Sequence, residues 1–217
     1  MPAPRVLSVN VGTPEEVQWH GRTVRSAIWK HPVDGPIALA GVNLAGDDQA
    51  DRRVHGGDDK AVYAYAIEDY HWWASALHED MDPATFGENL TTEGLDLTRA
   101  SIGDRWQVGS ATLEVAQPRS PCYKLGIKMG DDAFPELFEA AARPGVYLRI
   151  VNPGSLAAGD AIEVQPAVTP AITLEDLIRP DPDRDLLSRI AADARVPVGW
   201  RRHAARTLER LDQSSVA

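Results

Sequence analysis

The stretch Arg105-Trp-Gln-Val-Gly-Ser-Ala-Thr-Leu-Glu-Val-Ala116-Gln-Pro-Arg-Ser-Pro-Cys-Tyr-Lys124 combines two strand patterns with the only cysteine of the chain. Arg105 to Val108 and Ala111 to Ala116 alternate apolar and polar residues across Gly109-Ser110, a link typical of a β-hairpin. Pro118 and Pro121 then fix φ and remove two N–H donors, which predicts that the strand stops and a rigid loop begins. Cys122 falls in that loop between Arg119 and Lys124. Nearby cations favour a thiolate over the thiol, whose reference pKa is about 8.5. The plainer reading of Cys122 is a small buried hydrophobe.

Working outward, Arg5 to Val11 alternates as a first strand, and Trp19-His-Gly-Arg22 reads as a turn before a second strand, Thr23 to Trp29. Ile37 to Leu39 and Ala61 to Ala66 add two more, the latter with Tyr63 and Tyr65 on one face. Ile67, Tyr70, Ala74 and Leu77 have helical spacing. Phe86 to Gly94 reads as a short strand closed by a turn. Downstream, one helix is expected within Asp132 to Arg143. Gly145 to Val151 and Ala161 to Val164 are expected to pair around Asn152-Pro-Gly154. Many short strands with regular turn signals predict a mainly β protein with some helix, built on a closed or nearly closed β-barrel.

After about Pro170 the patterning becomes helical. Thr173-Leu-Glu-Asp176 resembles a capping box, and Asp181-Pro182 fits an N-cap with proline at the first helical position of Asp183 to Ala194. Pro197 opens a third helix with an apolar stripe of Trp200, Ala204, Leu208 and Leu211. The expected division is a barrel domain over 1–168 and a three-helix domain over 172–212, the latter too thin in core to stand without packing on the barrel or another subunit.

Bulk properties narrow the function. A charged fraction of 25% and hydrophobic fraction of 43% are those of an ordinary soluble protein. One cysteine excludes an intrachain disulfide and a cysteine-ligated iron–sulfur cluster within the chain. The start lacks a signal-peptide pattern, and no apolar run approaches the ~20 residues needed to span a bilayer, so a cytoplasmic location is expected. A net charge of −10 argues against broad nucleic-acid binding, yet allows a local cation cluster to hold a phosphate.

Four segments together resemble the MOSC family, named for the C-terminal domain of molybdenum-cofactor sulfurases. They are Gln49-Ala-Asp-Arg-Arg-Val-His-Gly-Gly-Asp-Asp-Lys-Ala-Val62, Phe86-Gly-Glu-Asn-Leu-Thr91, Ile102-Gly-Asp104 and Gln117-Pro-Arg-Ser-Pro-Cys-Tyr-Lys124. With its helical tail the chain is similar to the YiiM-like bacterial branch. The resemblance implies a β-barrel core and a molybdenum–pterin cofactor bound through Cys122. It also implies reduction of N-hydroxylated compounds such as hydroxylaminopurines and amidoximes. His55 and Lys30 would share the pocket and supply protons. Arg53, Arg119 and Lys124 would hold the pterin phosphate, and Gly56, Gly57 and Asn89 would complete the cofactor site. Without cluster ligands or a dinucleotide loop, electrons would come from a separate flavin or iron–sulfur reductase. A homodimer is one assembly compatible with the tail.

Three other readings compete. The same residues would serve a carrier of the cofactor or its sulfur. Asp47, Asp48, Asp51, Asp58 and Asp59 around His55 raise a divalent-metal hydrolase, although their spacing fits no ligand pattern. Arg201, Arg202, Arg206 and Arg210 on the last helix raise a DNA-binding regulator, although basic amphipathic helices are mostly solvated faces.

Overall fold

The computed structural model describes residues 2–50, 56–168 and 171–214. Its strands are β1 (Arg5–Val11), β2 (Glu15–Trp19), β3 (Arg22–Ser26), β4 (His31–Pro32), β5 (Ile37–Ala40), β6 (Asn43–Leu44), β7 (Val62–Ala66), β8 (Leu90–Glu93), β9 (Arg105–Val108), β10 (Ala111–Pro118), β11 (Val146–Asn152), β12 (Gly154–Leu156) and β13 (Ile162–Gln165). The α-helices are α1 (Ile67–Leu77), α2 (Tyr123–Met129), α3 (Phe134–Ala140), α4 (Leu174–Ile178), α5 (Arg184–Ala192) and α6 (Val198–Ser214). Helix and strand occur in nearly equal shares, so the fold is mixed α/β rather than mainly β.

An eight-stranded sheet runs β13-β9-β10-β11-β7-β8-β1-β4. The hairpin around Gly109-Ser110 forms at the expected place, with Ala111 opposite Val108. Glycine is required in that turn: φ is +54°, and a Cβ would lie 2.3 Å from the Ser155 carbonyl oxygen. Every residue of β7 is buried, and its period of two sends neighbours to different cores. Val62, Ala64 and Ala66 join an aliphatic core, while Tyr63 and Tyr65 enter an aromatic one with Tyr70, Trp73, Phe86, Phe134 and Phe138. Helix α1 connects β7 to β8, the one parallel pair among the described residues.

The sheet is not a closed barrel: β4 and β13 are its ends. The start of β1 does meet the approach to β13. Val6 N–H donates to the Asp160 carbonyl at 2.9 Å and Ile162 N–H to that of Pro4 at 2.9 Å. β13 then pairs along its length with β9, leaving only a bridge at Arg5 and Ala161 where a barrel would need a full ladder.

Several local expectations are corrected. β10 includes Pro118, which sits opposite Val146 as the last residue of the strand. Helix α2 begins directly after Cys122, where continued loop is expected, and α3 occupies the centre of the helix expected at 132–143. The turn expected at Trp19–Arg22 forms at His20-Gly21, but the strand after it, β3, ends at Ser26 rather than Trp29 and pairs with an additional strand, β2. β11 pairs with β10 and β7, not with β13.

In the tail, Thr173 and Asp176 form the capping box. The N-cap of α5 is Asp183, whose side chain accepts from Leu186 N–H, rather than Asp181. Leu174, Leu187, Ile190 and Ala204 belong to the same aliphatic core as the sheet, with Trp200 and Leu208 packed against it, while Leu211 is exposed. The tail therefore packs on the sheet.

Candidate functional site

Where β10 ends, Arg119 to Cys122 lead into α2, and Cys122 is the N-cap of that helix with extended backbone. Its partly exposed thiol lines a cleft shared with Lys30, Lys60, Arg119, Lys124 and Tyr147. Ser26 to Ile28, at the foot of the β2–β3 hairpin, and Asp47 to Ala50 supply further walls.

Lys30 forms a buried ion pair with Asp47, the two side chains being 8% and 2% exposed. Burial lowers the pKa of Lys30, and the Asp47 carboxylate works against that shift. Asp47 also accepts from Gly12 N–H at 2.8 Å and from Asn89 Nδ2 at 2.9 Å. Asn89 in turn accepts from Tyr63 N–H at 3.1 Å and donates to the Asn10 carbonyl at 3.2 Å. It lines the cleft, but these bonds tie β1, β7 and the Asp47 loop together.

Arg119 is buried, donates to the Phe86 carbonyl, and lies 4.8 Å from the centroid of Tyr63 and 5.6 Å from that of Phe138. Lys124 lines the cleft from the first turn of α2. Burial pushes the Tyr63 and Tyr147 phenols up, so both present neutral rings at neutral pH.

Of the residues chosen from sequence, Lys30, Asn89, Arg119, Cys122 and Lys124 thus meet at one cleft, although 92 residues of chain separate the first from Cys122. Gly56 and Gly57 are not among its lining residues; Gly57, at φ +98°, leads into the turn Asp58–Lys60. His55 and Arg53 lie outside the described residues. Sequence pattern does not mark Lys60 or the two tyrosines as site residues, and it raises Asp47 only as one of five aspartates around His55, not as the partner of Lys30. Lys60 stands in the first motif segment beside two aspartates, where it reads as one more surface charge. Burial lowers its pKa, while Asp59 and the Cys122 sulfur act to raise it.

The donor set discriminates between ligands. Among the described residues no three His, Cys, Asp or Glu side chains are grouped to hold a metal ion. Asp47 and Asp59 are instead ion-paired with Lys30 and Arg149. One thiol ringed by lysines and an arginine fits a metal that arrives with its own anionic ligands, and does not fit a bare divalent cation.

The MOSC domain model matches residues 51–163, and the chain belongs to the MOSC family. Within that family it is YiiM-like: the crystal structure of YiiM from Geobacillus stearothermophilus superposes with a TM-score of 0.77 at 26% identity, covering 94% of this chain and 99% of that one. An uncharacterized Bacillus subtilis protein, YflK, is 32% identical over 210 residues, 95% of each chain. A protein of Gibberella moniliformis named "Reductase" is 30% identical over 148 residues, 66% of this chain but 26% of that protein. No helix of the described residues is long and apolar enough to cross a membrane.

Proposed function

We propose that the protein is a reductase of N-hydroxylated compounds that holds a molybdenum–pterin cofactor in the Cys122 cleft. The observation that carries this reading is one soft sulfur donor facing a cleft with Lys30, Lys60, Arg119 and Lys124 in its walls, in a chain of the MOSC family. Cys122 Sγ would supply the protein's single bond to the metal, and Arg119 and Lys124, with Arg53, would hold the phosphate. The cofactor, when bound, supplies the two electrons. Reduction of R–NHOH to R–NH2 consumes those electrons and two protons and releases water. Lys30 Nζ, whose pKa burial lowers, is the described group suited to protonate the departing hydroxyl, with His55 as the second candidate.

Electrons would come from a separate flavin or iron–sulfur reductase. In support, the matched region makes up only a quarter of the fungal protein named "Reductase". We place the protein in the cytoplasm, and take 1–168 and 172–212 as its two units.

The test is Cys122→Ser, which exchanges soft sulfur for a harder hydroxyl. Purified from a cofactor-producing host, the variant should keep its thermal midpoint within a few degrees while losing bound molybdenum and anaerobic turnover of a hydroxylaminopurine with an artificial electron donor. A variant that still carries molybdenum and turns over would overturn the assignment. Wild-type protein that binds molybdenum and gives no turnover would instead be a carrier.

A further inference from the structure

The turn Asp58–Lys60 is fastened from outside the cleft by side chains of β10 and β11 that are themselves bonded to the helical tail. Gln117 is buried near the end of β10, and its side-chain amide is engaged at both ends. Its Nε2 donates to the Asp59 carbonyl at 3.2 Å, and its Oε1 accepts from Trp200 Nε1 of α6 at 3.1 Å. An indole N–H can only donate and a backbone carbonyl can only accept, so the two partners dictate a single orientation of the amide. The Asp59 side chain is held separately. Arg149 Nε donates to its Oδ1 at 2.6 Å, while the same guanidinium reaches Glu114 Oε1 at 3.0 Å and the Arg195 carbonyl at 2.9 Å. On the cleft side, Gln49 Nε2 donates to the Lys60 carbonyl at 3.1 Å.

We propose that Trp200 is a positioning residue for the cleft: through Gln117 it fixes the Asp58–Lys60 turn and so aims Lys60 at the anionic part of the ligand. The helical tail is then a structural part of the binding site, although none of its residues lines the cleft. This rests on Lys60 holding an anion there, and it assigns to the tail a task in ligand binding that packing on the sheet would not require.

The experiment uses the full chain without cofactor and inorganic phosphate as the probe. Phosphate affinity and thermal midpoint are measured for wild type, Lys60→Met, Trp200→Phe and the double variant. Phenylalanine keeps an aromatic ring against the core but removes the indole donor. Lys60→Met should weaken phosphate binding about tenfold, and Trp200→Phe about threefold with little change in midpoint. The double variant should be no weaker than Lys60→Met, because Trp200 acts through Lys60. Gln117→Met, which removes both bonds at similar volume, should repeat the Trp200→Phe result and covers the case in which that variant fails to fold.

Trp200→Phe and Gln117→Met with wild-type affinity, beside a weakened Lys60→Met, would overturn the positioning role and leave the cleft reading standing. Additive losses in the double variant would also overturn it. Unchanged affinity in Lys60→Met would remove Lys60 from the anion site and the inference with it.

Discussion

Removing one partner of the Lys30–Asp47 pair should be far more damaging than removing both. The pair is almost wholly withdrawn from solvent, and Asp47 is also the acceptor that joins Gly12 and Asn89 to the wall of the cleft. In Asp47→Asn the lysine charge stays buried without its counter-charge. In Lys30→Met the carboxylate keeps its two N–H donors but loses its ion partner. Breaking a buried pair from one side costs about 3–5 kcal/mol, and we expect Asp47→Asn near the top of that range and Lys30→Met near the bottom. At about 2–4 °C per kcal/mol for a chain of this size, the thermal midpoint should fall by roughly 6–20 °C. Lys30→Met combined with Asp47→Asn leaves no charge to compensate, and should cost less than about 2 kcal/mol. Urea unfolding of the four proteins at neutral pH gives the coupling directly. Single variants that each cost under about 1 kcal/mol, or a double variant equal to their sum, would refute the reasoning.

Other buried groups give two further expected outcomes. Lys128 donates to the Ile28 and Ala84 carbonyls, and burial pushes its pKa down to about 8, with Glu88 opposing the shift. The unfolded chain then holds this proton more tightly than the folded one, so its contribution to stability rises between about pH 8 and 10.5, by at most about 3 kcal/mol. Lys128→Met should lack that rise, seen as a gap between the two denaturation curves that changes with pH; parallel behaviour of wild type and variant would contradict it. Gly87 has φ +77°, and a Cβ there would lie 2.6 Å from Ile28 Cγ1, so Gly87→Ala should destabilise by about 1–3 kcal/mol in urea unfolding. A neutral substitution would show that the Ile28 wall yields freely.

What could be read from sequence divides along a physical line. The β9–β10 hairpin, β7 and the Thr173 capping box rest on contacts within a few residues, and local pattern carries them. The pairing of β13 with β9 rather than β11, and the parallel pairing of β7 with β8, depend on which distant strand presents a complementary edge, about which alternation is silent. Pro118 misleads because proline excludes a donor but not a position, and the end of a strand can do without one. At the site, Lys30 and Cys122 are legible through the family resemblance. Asp47 is visible only as one of several aspartates, and nothing in its neighbourhood in sequence marks it as the counter-charge of Lys30. Lys60 is hidden for the reason that makes it interesting: its surroundings come from residues near 117, 149 and 200, which only the folded chain assembles.

The pairing of β1 has a consequence for how the protein is made. Val6 and Val9 are completely buried, and β1 finds its neighbours in β4, β8 and residues 159–162. The last of these leave the ribosome about 150 residues after β1, which at roughly 5–20 residues per second is about 8–30 s later. During that interval an apolar strand waits beside a growing chain that offers it only part of its final edge. Non-local pairing of this kind folds slowly and exposes strand edges to other chains. A helper that shields the first dozen residues during synthesis should therefore raise the yield of folded protein more than one that acts on the finished chain.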